Sequence, residues 1–208
     1  MNALKRMRFL IASGPTQEPL DPVRFLSNRS TGAMGRYLAL SAKRRGHRVT
    51  WVRCPEDART ARDLEKKLIG LLPKNDVLIM SAAVCDVRPA LVSRTKLGKH
   101  SIGTVRFVRN PDILAGLGRK KKKGQVFIGF GLESEALKTR GLRKLKAKNL
   151  EAIVLQKVTE RRSPFGDKRV DALILKKNGP AAAYRHITKQ RLSAVLVREA
   201  EKLTELSA

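Results

Sequence analysis

The chain has 208 residues, of which 45 are Lys or Arg and 18 are Asp or Glu, so its formal net charge is +27. A chain of this length forms one domain most simply and can bury about 70% of its unfolded surface. Two cysteines without a partner motif argue against a disulfide scaffold, and the apolar runs are too short for a signal peptide or a membrane span. We therefore expect a single cytoplasmic domain over residues 1–208, with a charge that attracts polyanions nonspecifically.

Short apolar runs alternate along the chain with segments of helical spacing. The predicted strands are Phe9–Ala12, Val49–Val52, Val77–Val84, Val126–Phe130, Ala152–Leu155 and Ala172–Leu175. The predicted helices between them are Ala33–Lys43, Thr60–Leu72, Ile113–Leu117 and Ser134–Lys148. This alternation predicts the α/β class, with a doubly wound, Rossmann-like, mostly parallel sheet and helices on both faces.

The pattern changes after Phe165–Asp167. Two β-like runs flank the turn Asn178–Pro180, and a final helix is predicted from about Lys189 to Leu206. The sequence therefore predicts an antiparallel C-terminal edge on the same sheet rather than a second domain.

Ligands of an open α/β sheet bind outside the carboxyl ends of its strands, so the segments that follow the strands should share one crevice. These segments are Ser13–Thr16, Asp21–Gly35, Cys85–Pro89, Thr95–Lys99, Gly131–Ser134 and Gln156–Lys157. The most basic run, Arg119–Lys123, follows a helix and precedes a strand. We expect it at the opposite end of the sheet, as a solvated loop.

The stretch DPVRFLSNRSTGAMG, Asp21–Gly35, combines many donors with two glycines at a predicted helix start near Gly32. One of its polar side chains can cap that helix, and the remaining free N–H groups favour an anion. Gly35 and Gly32 permit close approach of a ligand or of neighbouring backbone, and Arg24 offers a planar fork for a phosphate or carboxylate. An elaborate loop with a good N-cap is the alternative interpretation.

Common catalytic and nucleotide motifs are missing. The sequence has neither GxxxxGK[ST] nor GxGxxG in the first turn, and its three histidines have no metal-ligand or triad spacing. Electrostatic and orientational catalysis on phosphates remains. A basic nucleic-acid-binding protein with a vestigial crevice is a rival, although aromatic residues make up only 4% of the chain. An NAD(P)-binding oxidoreductase is another, although Arg53-Cys54 stands where an acidic residue would close the second strand.

Six dispersed segments together resemble one known family. They are SGPTQEPLDPVRFLSNRSTGAMG, SAAVCDVRP, TKLGK, RNPDIL, IGFGLES and KLKAKNLEAIVLQ, within a match that extends from about Arg8 to Val170. In this order and spacing, they resemble phosphopantothenoylcysteine synthetase of coenzyme A biosynthesis. Bacterial members are often fused behind a flavin-dependent decarboxylase. This chain resembles the synthetase part alone, whether free-standing or excised from a longer protein.

The resemblance implies a ligase that joins 4'-phosphopantothenate to L-cysteine. The carboxylate of the first substrate would attack the α-phosphate of CTP, or of ATP, giving an acyl-nucleotidyl intermediate and pyrophosphate. The cysteine amine would then expel the nucleoside monophosphate. Mg²⁺ would be carried by the triphosphate, without a metal site of the protein's own. Family members are homodimers, so Arg88–Arg109 is the candidate dimerisation arm, with a mobile active-site loop as the alternative.

The resemblance also assigns roles to individual residues. Asn28 would contact the activated acyl group, with Arg24 just before it, and Lys96 would neutralise charge on the triphosphate. The residues assigned to the nucleotide are Gly14, Thr16, Ser81, Ala82, Asp86, Lys96, Asn110, Pro111, Asp112, Ile113, Phe130, Lys144 and Lys148. Lys144 and Lys148 share one helix face, but we expect the C-terminal end of that helix to lie away from the crevice.

The sequence departs from the family pattern at a few positions. The family's KxKK element reads Lys96-Leu97-Gly98-Lys99, the usual Asn after a late strand is Gln156, and Cys85 replaces a small residue. These departures concern nucleotide preference and turnover rather than the class of reaction. In the arm, the alternation of Ile102, Val105 and Phe107 favours a strand with one covered face.

Overall fold

The structure is a computed structural model that describes residues 5–99, 102–159 and 163–207. The strands are β1 (Arg8–Pro15), β2 (Gln17–Pro19), β3 (Phe25–Ser27), β4 (Arg48–Arg53), β5 (Val77–Ala83), β6 (Val87–Pro89), β7 (Phe107–Arg109), β8 (Val126–Glu133), β9 (Ala152–Lys157), β10 (Val170–Lys176) and β11 (Ala182–Ile187). The α-helices are α1 (Ala33–Arg44), α2 (Ala61–Leu71), α3 (Ile113–Arg119), α4 (Leu137–Ala147) and α5 (Lys189–Ser207).

One sheet of seven strands organises the chain, in the order β11-β10-β9-β8-β5-β1-β4. Strands β4, β1, β5, β8 and β9 are parallel, whereas β10 and β11 continue the sheet antiparallel. The predicted α/β class with an antiparallel C-terminal edge is therefore confirmed. Strand β4 lies on one side of β1, at the edge of the sheet, whereas β5 and the strands that follow it lie on the other side of β1. The topological switch point, where such sheets bind ligands, thus lies between β1 and β5.

Each central strand is apolar on both faces because helices cover both. In β1, Phe9 and Ile11 face the layer of α1 and α5, whereas Leu10 and Ala12 face the layer of α2, α3 and α4. All four residues are fully buried. This two-sided burial explains why the strands appear in the sequence as continuous apolar runs rather than as alternating ones.

Helices α1 and α5 lie side by side and run in the same direction. The hydroxyls of Ser41 and Ser193 are 2.7 Å apart. Further along, Glu201 accepts hydrogen bonds from Arg45 Nε at 2.5 Å and binds His47 Nε2 at 2.7 Å. Burial alone would raise the pKa of Glu201, but these two partners lower it below its ordinary value. The N-termini of both helices therefore open at the same end of the sheet.

Two short hairpins were not foreseen from the sequence. Strand β2 pairs with β3, and β6 pairs with β7, each through three residue pairs. Strands of three residues are too short to show the alternation over four or more residues on which sequence interpretation depends. In the arm, only Phe107 of the three alternating apolar residues falls within a strand, so the expected longer strand is wrong.

The basic run Arg119–Lys123 lies between α3 and β8, at the amino end of the parallel strands, as predicted. It is not simply a solvated loop. The side chain of Lys121 is only 9% exposed, and its Nζ donates to Asn149 O and pairs with Glu151 at 2.6 Å. Lys120, Lys122 and Lys123 are exposed. One lysine of the run is thus structural, and the other three contribute mainly to the surface potential.

We expect replacement of Lys120, Lys122 and Lys123 by Gln to weaken retention on heparin while turnover and the urea midpoint of unfolding stay unchanged. The reason is that these side chains contribute to the long-range field far from the strand ends. Lys121→Gln is the contrasting variant and should lower the midpoint, because Glu151 loses its buried partner. Loss of turnover in the triple variant would contradict the placement of this run.

Candidate active site

A crevice of about 420 Å³ opens at the carboxyl ends of the parallel strands, at the switch point between β1 and β5. Its walls come from segments that are distant in sequence. Of the residues assigned from the sequence, those that line it are Asn28, Ser81, Ala82, Asp86, Asn110, Pro111, Asp112, Ile113, Phe130, Lys144 and Lys148. The segments predicted to converge therefore do so at one cavity, with the exceptions described below.

The N-terminus of α1 forms one wall of the crevice. Its N-cap residue is Gly32, which has φ +71° and provides no side-chain cap, so the expected polar cap is wrong. Ser30 Oγ accepts from the N–H of Gly32 at 3.4 Å, outside the helix. The first helical hydrogen bond is donated by Arg36 N–H. Among the described residues, the N–H groups of Ala33, Met34 and Gly35 therefore have no acceptor, and such groups favour an anion.

Gly35 brings α1 close to the end of β1. A Cβ at this position would lie 2.1 Å from Ser13 Cβ, which is far inside van der Waals contact. Ser13 is held in turn by Trp51, whose Nε1 donates to its Oγ at 2.8 Å. The glycine thus permits close packing of helix on strand, which sets the position of the free N–H groups.

Asn28 also lines the crevice, held by the end of β5. Its Nδ2 donates to Ala83 O at 3.0 Å. Within the described ranges, its Oδ1 accepts no hydrogen bond and is available to a ligand. The amide is therefore fixed by one atom and free at the other, which suits a group that orients a substrate.

Asn110 connects the segment after β5 with the start of α3. Its N–H donates to Asp86 O at 2.8 Å, and its Nδ2 donates to Cys85 O at 2.9 Å. Its Oδ1 accepts from Arg88 Nη1 at 3.0 Å. These contacts leave the Asp86 carboxylate exposed at the crevice wall, where it can act as a hydrogen-bond acceptor for a ligand.

Lys144 and Lys148 line the crevice, so the expectation that their part of α4 lies away from it is wrong. Side chains on a helix lean toward its N-terminus, and the N-terminus of α4 lies at the carboxyl edge of the sheet. Both ammonium groups have acidic partners. Lys144 Nζ pairs with Glu133 at 2.5 Å, and Lys148 Nζ pairs with Asp112 at 3.0 Å.

Cys85 is buried beside the crevice, where a nucleophile could be suspected. Its Sγ lies 3.7 Å from Thr16 O and 3.8 Å from Leu26 O, as a donor to backbone oxygens. Burial raises the pKa of this thiol above its ordinary value. A thiol that stays protonated at neutral pH is a poor nucleophile, so the geometry favours a packing role.

Gly14 and Thr16 lie behind the crevice wall and are absent from its lining. Gly14 packs on the backbone of Cys54, with the oxygen of Cys54 only 2.0 Å from where a Cβ would stand. Thr16 is fully buried, and its Oγ1 accepts from Cys85 N–H at 3.0 Å. Both positions shape the strand ends rather than offer groups to a ligand.

Arg24 and Lys96 also lie outside the crevice of this chain, and the cause is the buried carboxylate of Asp21. Its Oδ1 accepts from the N–H groups of Val23 and Arg24, and its Oδ2 accepts from Arg24 Nη1 at 2.7 Å and from Leu97 N–H at 3.2 Å. Segment Thr95–Lys99 is thereby tied to the β2–β3 hairpin instead of to the strand ends.

We expect Asp21→Asn to release this segment and to accelerate tryptic cleavage after Arg94 and Lys96. Burial alone would raise the pKa of Asp21, but the N–H groups of Val23, Arg24 and Leu97 and the Arg24 guanidinium lower it to about 2. Because the folded pKa lies below the unfolded value of about 3.9, this tie is present above pH 4 and is lost as the pH falls toward 2. Asp63→Asn, in the capping box that Thr60 and Asp63 form at the start of α2, is the control. Equal cleavage rates in the two variants would contradict the role of Asp21.

Sequence interpretation missed several residues of the crevice. They are Lys189 at the start of α5, and Pro164 and Phe165 in the segment before β10. Nothing in their spacing indicates a site, since only the antiparallel turn of β10 and β11 returns α5 to this end of the sheet. The sequence predicted the helix α5 but not which of its ends would reach the crevice.

Two further observations concern metal sites and membrane-spanning helices. Across the described residues, no cluster of three or more His, Cys, Asp or Glu side chains is arranged to hold a metal ion. Nor is any helix in those ranges long and apolar enough to cross a membrane. What the crevice offers is free backbone N–H groups, lysines, amides and the exposed carboxylates of Asp86 and Asp112.

A switch-point crevice with an uncapped helix N-terminus and flanking lysines is typical of doubly wound α/β proteins that bind anionic ligands. The comparison with known families is specific. The family model described as "DNA/pantothenate metabolism flavoprotein C-terminal domain" matches residues 4–203. The chain belongs to this family, which confirms its resemblance to the synthetase domain of coenzyme A biosynthesis.

Individual relatives agree with the family match. The Escherichia coli coenzyme A biosynthesis bifunctional protein CoaBC is 35% identical over 77% of this chain and 43% of its own length. A prokaryotic protein described as a cysteine/cysteine sulfinic acid decarboxylase is 35% identical over 94% of this chain and 58% of its own length. The chain thus spans about half the length of these relatives. The crystal structure of the C-terminal domain of a CoaBC protein superposes with a TM-score of 0.79, at 29% identity, and covers 99% of both chains.

Proposed function

We propose that the protein is a phosphopantothenate–cysteine ligase. The observation that carries this proposal is the crevice itself, which the free N–H groups of α1, Asn28 and Asp86 line together at the carboxyl edge of the sheet. Membership of the family, and the coenzyme A biosynthesis role in the name of the E. coli relative, support the same reaction. The oxidoreductase and nucleic-acid-binding alternatives have no comparable support.

In the proposed reaction, the carboxylate of 4'-phosphopantothenate attacks the α-phosphate of a nucleoside triphosphate, with CTP favoured over ATP. Pyrophosphate leaves, and an acyl-nucleotidyl intermediate remains. The amine of L-cysteine then attacks the acyl carbon and expels the nucleoside monophosphate. Mg²⁺ would enter with the triphosphate, since this ion is commonly held by substrate phosphates and few protein groups.

The residues of this chain would act by binding and orientation. The N–H groups at the start of α1 would receive phosphate oxygens, and the Asn28 amide would orient the acyl group. Asp86, Asn110 and Phe130 would surround the base and ribose. Lys96 on the arm and Arg24 on the β2–β3 hairpin are held together through Asp21. They can take part only when these segments approach a crevice, either that of their own chain or that of a second copy.

The test is pyrophosphate release, measured with 4'-phosphopantothenate and each of CTP, ATP, UTP and GTP, with and without cysteine. We expect multiple turnovers only when cysteine is present and with one preferred nucleotide. Asp86→Asn should lower the rate, whereas Lys202→Gln, an exposed change on α5, should not. Failure of every nucleotide to support pyrophosphate release would overturn the proposal.

The protein is further proposed to be a homodimer through the arm Arg88–Arg109. Leu91 and Val92, which are adjacent in sequence, are 82% and 52% exposed. Phe107, which pairs with Pro89 at the start of the same arm, is 47% exposed. Exposed apolar side chains that lie near one another are typical of an interaction surface. Beside them, Leu20, Leu97, Ile102 and Val105 line an apolar groove.

We expect sedimentation velocity at working concentration to show a dimer, and Leu91→Glu to shift the protein toward monomer, since a charge would be buried at the contact. Leu206→Glu is the control, because Leu206 is 80% exposed on α5, away from the arm. A wild-type protein that sediments as a monomer would contradict this arrangement.

A further inference from the structure

Lys189 is a buried lysine in the wall of the crevice. The residue is 6% exposed, and its Nζ donates to the backbone oxygen of Gly166 at 2.5 Å. No ion pair joins it to a carboxylate within residues 5–99, 102–159 and 163–207. An ammonium has three N–H donors, so one carbonyl leaves most of its hydrogen-bonding capacity unused.

The other two lysines of the crevice differ from Lys189 in this respect. Lys144 is neutralised by Glu133, and Lys148 by Asp112. These pairs lie on the α3 and α4 side of the sheet, whereas Lys189 lies on the α1 and α5 side. Of the crevice lysines, Lys189 is therefore the one whose charge is left without an acidic partner.

Two physical effects oppose a charge at this place. Burial lowers the pKa of Lys189, and the charge of Asp167 offsets this only in part. In addition, a cation at the first residue of a helix faces the positive end of the helix dipole. Capping does not require the lysine either, because Thr188 Oγ1 accepts from Arg191 N–H at 3.2 Å. An unfavourable charge that persists in a cavity is typical of a binding site.

The neighbourhood of Lys189 indicates which ligand would relieve these effects. Helix α5 runs parallel to α1, fixed by the Ser41–Ser193 and Arg45–Glu201 contacts, so both N-termini open into the crevice. The start of α1 presents the unpaired N–H groups of Ala33, Met34 and Gly35. An ammonium and several backbone N–H groups on one side of a cavity are the donors that phosphates bind in proteins.

We propose that Lys189 and the N-terminus of α1 together bind a phosphoryl group of a substrate. The phosphoryl group belongs either to the triphosphate of the nucleotide or to the phosphate ester of 4'-phosphopantothenate. This assignment rests on the proposed ligase function and adds to it a lysine that lies in the crevice, unlike Lys96. When the phosphoryl group is bound, the charge of Lys189 gains its missing counter-ion.

A purely structural role is the competing explanation. Through Gly166, Lys189 holds the segment Ser163–Asp167, whose Phe165 lines the crevice. The same segment is held a second time by Tyr37, whose hydroxyl donates to Asp167 Oδ2 at 2.7 Å. Tyr37→Phe therefore loosens this segment without removing a positive charge, which separates the two roles.

The experiment is isothermal titration calorimetry of the full chain with four ligands: CTP, ATP, inorganic tripolyphosphate and 4'-phosphopantothenate. The proteins are wild type, Lys189→Gln, Tyr37→Phe and Lys202→Gln, the last as a charge-matched control on the same helix. We expect Lys189→Gln to raise Kd by about 10- to 100-fold, which is the effect of losing one charged hydrogen bond. If Kd rises for the nucleotides and for tripolyphosphate, Lys189 binds the triphosphate. If Kd rises for 4'-phosphopantothenate alone, Lys189 binds the ester phosphate.

Urea unfolding of the ligand-free proteins completes the test. We expect Lys189→Gln to unfold at the wild-type midpoint or above it, because the change removes an unpaired buried charge. Unchanged affinity in Lys189→Gln would overturn the inference, as would equal weakening by Tyr37→Phe. If the wild-type protein bound none of the four ligands, both the proposed function and this inference would fail. If the wild type bound its ligands and Lys189→Gln bound them with the same Kd, this inference alone would be overturned.

Discussion

Asn28→Asp is expected to permit nucleotidyl transfer but to slow the attack of cysteine by about 10²- to 10³-fold, by analogy with the loss of one preorganised polar contact. The amide is neutral, so it contributes little to holding a triphosphate. Its position is fixed by the hydrogen bond from Nδ2 to Ala83 O, and its free Oδ1 faces a potential ligand. A carboxylate keeps the size but loses the donor, and it repels the Ala83 oxygen that now fixes the side chain.

The measurement is a rapid-quench assay that follows labelled nucleotide with and without cysteine. Accumulation of an acyl-nucleotide in the variant would support the division between the two half-reactions. The matched control is Asn75→Asp, because Asn75 also donates its Nδ2 to a backbone oxygen, that of Leu71 at 2.8 Å, but far from the crevice. Equal loss of the first half-reaction in Asn28→Asp would show that Asn28 belongs to the loop scaffold instead.

Gly14→Ala should have the largest effect on stability, lowering the free energy of unfolding by about 3–5 kcal/mol. Two causes add at this position. The backbone has φ +85°, which disfavours any side chain, and the new Cβ would lie 2.0 Å from Cys54 O. Backbone cannot move aside as a flexible side chain can, so the end of β1 must shift.

The chain provides a control that separates these two causes. Gly46 has nearly the same backbone angle, φ +83°, but no atom within 4 Å of its added Cβ. Gly46→Ala should therefore show only the conformational cost, about 1 kcal/mol. Urea midpoints of both variants are the measurement. Similar losses in the two proteins would mean that the contact with Cys54 is unimportant.

The sequence predicted the sheet well because its signal is strong and local. Buried parallel strands such as β1 and β5 are continuous apolar runs, and the helices between them have regular spacing. Parallel strands have all their carboxyl ends at one edge, which is why the segments of Asn28 and Asp86 could be brought together in advance. Asn110 and Phe130 were assigned by the resemblance to the family.

The remaining parts of the site depend on tertiary contacts that no local pattern encodes. The segment around Lys96 was expected at the strand ends, but the buried carboxylate of Asp21 ties it to the β2–β3 hairpin. Lys144 and Lys148 were expected to lie away from the crevice because the direction of helical side chains was not considered. Lys189 escaped notice because its place depends on how α5 returns across the sheet.

The uncompensated lysine of the crevice also affects the order in which the protein becomes competent during synthesis. The walls at α1 and β5 are complete early in the chain, but the ammonium of Lys189 belongs to the last helix. A nascent chain that has not yet released α5 from the ribosome would have the central strands and an open cavity without this charge. Ligand binding should therefore be weaker, by about the 10- to 100-fold expected for the loss of Lys189, until α5 has docked against α1.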